Sequence, residues 1–276
     1  MTPLTSSQSR APSFSFSSCT GGHHHQMHAA AAMHPAEHAL SASSTPDPDA
    51  SLRVLCYVQY VHGVGHLQRI SAVARELTRH TTAITRVTLV VGGLPIPALR
   101  DALVAEGIEY VQLPPCSQPP GGWHLVDAST GIKIDRAWKA KRRSLLLATL
   151  HRVVPHVLLV EMYPFGRRMF HWELTPLLDA AYAMATPQSR AVSDGGPPAA
   201  GSRPAVIVSV RDYLVRKIKP KPHTTATCVG VIRAYVDQVL VHGDPSLLAF
   251  GESFEGADSI AAKIAYTGYV VVRIFY

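Results

Sequence analysis

Five residues, His62-Gly63-Val64-Gly65-His66, stand where an apolar, strand-like run gives way to a helix-like one. Two glycines at such a turn let backbone and ligand approach closely, and the amides of a following helix can meet a negative group. A histidine there titrates near neutrality, so His66 can take a proton from a hydroxyl; it can equally cap the helix or bind phosphate. Two familiar phosphate loops are excluded. The dinucleotide fingerprint needs a glycine at position 68, which is Gln68, and the acidic residue expected about 20 positions on is missing. No Gly-Lys-Ser/Thr is present for a Walker loop.

Three other groups carry charge at strand ends. Glu161-Met-Tyr-Pro-Phe-Gly-Arg167-Arg168 sets a carboxylate before two arginines, a pattern suited to binding phosphate or carboxylate. The plainer reading pairs Glu161 with one of those arginines. Arg211-Asp212 and His242-Gly243-Asp244 raise the same choice: Arg211 can simply pair with its neighbours, and Asp244 can cap a short helix. The basic run Lys139 to Arg143 reads as the solvated face of a helix, or as a surface for an anionic membrane. No aromatic stacking pattern accompanies it, which ranks nucleic acid low.

The elements that position these groups alternate. "RVLCYVQY" reads as a buried strand, and Leu67, Ile70, Val73, Ala74 and Leu77 have helical spacing. "RVTLVVGG", "IEYVQLPP", "PHVLLVE", "AVIVSVRD", "QVLVHGDP" and "KIAYTGYVVV" read as strands. "PIPALRDALVAEG", "DRAWKAKRRSLLLATLHRVV", "MFHWELTPLLDAAYAMA" and the short "VGVIRAYVD" read as helices, and 116–134 as a loop. Strands that are apolar throughout belong in a parallel sheet covered on both faces. The expectation is an α/β, Rossmann-like, doubly wound parallel sheet. Ligands of such sheets sit at the carboxyl ends of the strands, where every group above falls.

Composition sets the limits. Of 276 residues, 47% are hydrophobic and 16% charged, and the formal net charge is +7. Residues 1–50 hold one base against three acids, so the remainder carries +9, an excess that favours anionic partners. Residues 1–50, rich in Ser, Ala, His and Pro, read as a disordered tail, and 186–204 as a loop insertion in a domain over 51–276. The tail's six histidines and its Asp47-Pro-Asp49 lack the geometry of a metal site, and no cofactor is called for. Cys19, Cys56, Cys116 and Cys228 form no close pair, so free thiols and a cytoplasmic setting are expected, with a weak organellar-targeting signal in the tail. No apolar run reaches about 18 residues, the length of a membrane span.

Six blocks in order, from "YVQYVHGVGHLQRISAVARELTRH" through "DRAWKAKRRSLLLATL", "VEMYPFGRRMFHWELTPLLDAA", "SVRDYLV" and "VLVHGDPSLLAF" to "IAYTGYVV", together resemble a predicted glycosyltransferase family related to MurG-type enzymes of the GT-B fold. The resemblance spans about Leu52 to Val272. It implies two facing Rossmann-like domains, with acceptor held by the N-terminal one and nucleotide sugar by the C-terminal one, usually without metal. It makes His66 the first candidate base or acceptor-positioning residue, with Glu161 second and Gly63 and Gly65 forming the loop. Arg167, Arg168, Arg211, Asp212, His242 and Asp244 fall in family blocks as substrate-binding candidates without individual roles. In this family a block like "YTGYV" closes the N-terminal domain. The expectation is therefore an acceptor-side domain lacking its donor domain, inactive alone in hexosyl transfer and completed by a separate chain. Its partners would be a nucleotide sugar and an acceptor, with peripheral membrane contact. The alternative is a non-catalytic binding or regulatory module. A nucleotide-dependent oxidoreductase is the weakest reading, for want of the third glycine.

Overall fold

The structure, a computed structural model, describes residues 51–61, 63–79, 85–122, 124–184, 203–214 and 222–271. The 1–50 tail, His62, most of the 186–204 insertion and the last five residues lie outside them.

Among the described residues nine strands and five helices follow in chain order: β1 (Leu52–Val58), α1 (Gly65–Arg79), β2 (Thr85–Val91), α2 (Pro97–Ala105), β3 (Glu109–Gln112), β4 (Cys116–Ser117), β5 (Val126–Asp127), α3 (Arg136–Val153), β6 (Val157–Glu161), α4 (His171–Ala183), β7 (Ala205–Arg211), α5 (Pro222–Tyr235), β8 (Gln238–His242) and β9 (Ile264–Tyr266). Seven strands form one sheet in the order β3-β2-β1-β6-β7-β8-β9, and every pairing in it is parallel. The order reverses between β1 and β6, the switch point of a doubly wound sheet. The α/β, Rossmann-like expectation is what is found.

Both faces of the sheet are covered, which explains the continuous apolar runs inside its central strands. In β1, Leu55 and Tyr57 join one core with Leu146, Leu150, Phe170, Leu174 and Ile232 from α3, α4, α5 and the turn before α4. Their neighbours Val54, Cys56 and Val58 join the other core with Leu67, Ile70 and Ala74 of α1 and Leu103 of α2. Local signals agree with the helices. Pro97 opens α2, and the Asp135 carboxylate caps α3 by accepting from the Trp138 amide at 2.7 Å. Burial pushes the thiols of Cys56 and Cys228 up to about 12 and that of Cys116 to about 11, so all three stay protonated and unreactive at neutral pH. Among the described residues no helix is long and apolar enough to cross a membrane.

Some elements differ from expectation. The 116–134 loop contains the antiparallel pair β4–β5. Helix α5 begins seven residues before the expected 229, because its opening Pro-His-Thr-Thr-Ala-Thr carries no apolar stripe. Strand β9 has only three residues, and its pairing with β8 ends where the Thr267 amide donates to the Val241 carbonyl at 3.0 Å.

The largest departure is Arg142. It belongs to the basic run expected in solvent, yet its side chain is fully buried. Its Nε and Nη2 donate to Glu173 Oε2 and Oε1 at 2.8 and 2.9 Å, and Nη2 also reaches Gln59 Oε1. Its Nη1 donates to the carbonyls of Gly92 and Pro114 at 2.9 and 2.6 Å. Tyr57 gives its hydroxyl proton to Glu173 Oε1 at 2.6 Å. Gly92 has to be glycine here, since a Cβ would run into the Gln59 and Arg142 side chains. Lone buried charges are prohibitive, but a pair with every donor satisfied is tolerated. Arg142→Met should therefore lower the unfolding free energy by about 3–5 kcal/mol, while Arg142→Met with Glu173→Leu should recover much of that loss. Urea denaturation checks this; a single-replacement loss below about 1 kcal/mol would show that the pair is dispensable.

Candidate functional site

The carboxyl ends of β1, β6 and β7 meet at a cavity of about 240 Å³ lined by His66, Met162, Phe165, Gly166, Arg167, Arg211, Tyr213 and Leu214. Two residues of its lining come from turns with left-handed backbone nearby: Met162 has φ 63° and Arg167 φ 58°. Tyr163–Pro164, in the same turn, is a cis peptide bond.

His66 is the second residue of α1 and is partly exposed. Its Nδ1 lies 2.7 Å from Glu161 Oε1, and its Nε2 makes no hydrogen bond among the described residues. Glu161 ends β6 and is fully buried. The same oxygen also accepts from Arg69 Nη2, while Oε2 has no partner among the described residues. So Glu161 does pair with an arginine, but with Arg69 rather than with Arg167 or Arg168. Arg69 escaped notice in the sequence. It stands three residues after His66, which on a helix puts the two side by side, and that spacing was the available signal.

The other candidates separate into two groups. Arg167 and Arg211 line the cavity. Burial pulls the Arg167 guanidinium below the usual arginine range, with Glu161 pulling the other way. Arg211 is half-exposed and lies 3.7 Å from Asp212, a loose pair at most. Arg168 sits in a 3-10 turn at 168–170, outside the lining and near Cys228. Asp212 accepts from the Tyr213 amide at 2.9 Å. Asp244 accepts from the hydroxyl and amide of Ser246, which hold its carboxyl below the usual range, so it closes a turn over 245–247 rather than capping a short helix. Gly63 has φ +67°, a conformation that favours glycine, whereas a Cβ at Gly65 would meet nothing within 4 Å. Space on Gly65 is open rather than packed.

His242 lies across the ladder from Arg211 and is 7% exposed. Its Nε2 and Nδ1 each sit 2.7 Å from a hydroxyl, Ser209 and Thr267. Burial, with help from Arg69 and against Glu161, brings its pKa down to about 4. Among the described residues no cluster of three or more His, Cys, Asp or Glu could hold a metal.

No protein-family model matches the sequence, and no curated protein matches it. Solved structures that are similar to it in part include three glycosyltransferases. MurG of Acinetobacter baumannii is 12% identical with a TM-score of 0.38, covering 70% of this chain and 42% of that one. A UGT transferase from Siraitia grosvenorii, solved with UDP, is 13% identical with a TM-score of 0.42, covering 78% and 50%. Phytolacca americana UGT2, solved with UDP-2-fluoro-glucose and pterostilbene, is 12% identical with a TM-score of 0.43, covering 80% and 55%. The chain thus spans about half the length of these structures, and likenesses of this size carry no argument about function.

A neutral buried imidazole has a stability consequence. The unfolded chain binds a proton to His242 near pH 6.5 and the folded chain only near 4, so stability should fall as pH drops through that window and level off below it. The loss is on the order of 3 kcal/mol at most. Urea denaturation at pH 7 and 4.5 should show it, and His242→Gln, which keeps a donor and an acceptor without titrating, should flatten the slope.

Proposed function

We propose that this chain supplies the acceptor side of a glycosyltransferase, one that moves a hexosyl group from a nucleotide sugar to an acceptor hydroxyl. The observation that carries the reading is the pair His66 Nδ1–Glu161 Oε1 at 2.7 Å, at the switch point of a doubly wound sheet and on the wall of a cavity. The ordered sequence blocks that resemble MurG-type enzymes support it.

In this reading Glu161 fixes the tautomer: Nδ1 keeps its proton and donates it to the carboxylate, leaving Nε2 with a lone pair towards the acceptor. His66 Nε2 takes the hydroxyl proton as the acceptor oxygen bonds to the anomeric carbon. The bond from that carbon to the nucleotide diphosphate breaks, the diphosphate leaves with the electron pair, and the anomeric configuration inverts. The imidazolium formed is then stabilised by buried Glu161. Glu161 does not line the cavity, so it acts through His66 as a positioning residue. Arg69 shares the carboxylate and holds it in place.

The chain is inactive alone in this reading, so the test is release of nucleotide diphosphate from UDP-hexoses by the chain together with a separate chain carrying a donor-binding domain, with and without a panel of hydroxylated acceptors. His66→Ala should lower the acceptor-dependent rate by about 10²–10⁴-fold, and Glu161→Gln should lower kcat more than it raises KM. Acceptor binding that survives with no acceptor-dependent release even beside a donor-binding chain would make the chain a binding module instead.

A further inference from the structure

Glu161 Oε1 serves two partners at once. His66 Nδ1 lies 2.7 Å from it, and Arg69 Nη2 donates to the same atom. The second half of the arginine fork is not made: Arg69 Nε and Glu161 Oε2 are both buried without a hydrogen-bond partner among the described residues. Arg142 differs, since its Nε and Nη2 hold both oxygens of Glu173, at 2.8 and 2.9 Å. Arg69 thus grips Glu161 by the one oxygen that His66 also uses, and the two side chains draw on a single negative charge.

That sharing bears on the proton at His66. A fully buried carboxylate facing an imidazole alone favours the imidazolium, the only cation that could then offset it. An imidazolium carries protons on both nitrogens and cannot accept one from a hydroxyl. A guanidinium stays charged at any working pH, so Arg69 offsets much of that pull without taking up a proton. Other titratable groups surround the ring. Arg167, in the turn after β6, and Arg211 and Tyr213, at the end of β7, line the same cavity. Asp212 stands beside Arg211, and His242 of β8 lies within the fields of Arg69 and Glu161. Among the described residues Arg69 is the one cation of this set that hydrogen-bonds Glu161 beside His66.

We propose that Arg69 is a positioning residue for His66: by sharing Glu161 Oε1 it keeps the imidazole neutral, with Nδ1–H on the carboxylate and Nε2 open to an acceptor hydroxyl. The proposal deepens the transferase reading and rests on it for one point only, that an uncharged Nε2 is what the acceptor meets. The balance of charge at Oε1 stands without it.

Proton binding to the His66 ring in the full chain tests it, followed by the NMR signal of Cε1 and assigned by loss of that signal in His66→Ala. Arg69→Gln should move the midpoint up by about one pH unit, and Arg69→Lys, which keeps the charge, should move it less than about half as far. Arg167→Gln and the exposed Arg211→Gln, neither bonded to Glu161, should also move it less than about half as far. In a Glu161→Gln background the Arg69→Gln shift should shrink below about 0.3 units, because the shared oxygen no longer carries charge. The acidic limb of the transfer rate, measured beside a donor-binding chain, should move with the Arg69→Gln midpoint. An unmoved midpoint in folded Arg69→Gln, an equal shift in Arg167→Gln, or a full shift that persists without the Glu161 charge would overturn the proposal. Failure to fold of both Arg69→Gln and Arg69→Met, which keeps the stem, would also overturn it by making Arg69 a framework residue like Arg142. The two readings fail separately. The midpoint shift without hexosyl transfer leaves the role of Arg69 and removes the transferase, and transfer with an unmoved midpoint does the reverse.

Discussion

The guanidinium of Arg142 is the interaction on which the upper rim of the sheet depends. It reaches the end of β1 through Gln59, the end of β2 through Gly92, the segment after β3 through Pro114, and α4 through Glu173. Trp138 and Phe170 flank it, with ring centroids 5.8 and 5.7 Å from its central carbon. Hydrophobic packing holds sheet and helices together but has little directional preference. The guanidinium fork does have direction, and it fixes where the strand ends stop relative to α3 and α4. Because no donor of Arg142 is spare, any shift of one strand end would leave a buried polar group unmade.

The site uses the same chemistry with one difference. Glu161, like Glu173, is a fully buried carboxylate with an arginine beside it. Glu173 has both oxygens occupied, whereas Glu161 has one oxygen shared by His66 and Arg69 and the other unpartnered among the described residues. Arg142 is saturated, whereas Arg167 keeps a bare edge. The contrast separates a framework pair from a site, since unmet hydrogen bonds cluster where a ligand or a reaction can meet them.

The doubly wound sheet was legible because strands buried on both faces must be apolar throughout, and Leu55 beside Cys56 in opposite cores is that constraint made visible. The strand-end rule likewise brought His66, Glu161, Arg167 and Arg211 to one place, before any side-chain contact was known. What stayed hidden was partnership across the chain. Arg142 meets Glu173, 31 positions on, and sits in a run of like charges none of whose other members is fully buried. Nothing in Lys-Ala-Lys-Arg-Arg distinguishes the one residue whose helical position turns it inward. Helix α5 was shortened for the opposite reason, as the residues of its first half are too polar to show a period.

The sheet is short at both of its borders. One is the four-residue β3, whose exposed Glu109 is tied to Arg152; the other is the three-residue β9, after which Gly268 adopts φ +72°. Brief, charged or bent margins offer a foreign backbone few amides in a row to zip onto. Crowded solutions of this domain should consequently be poor at seeding fibrous stacks through those margins.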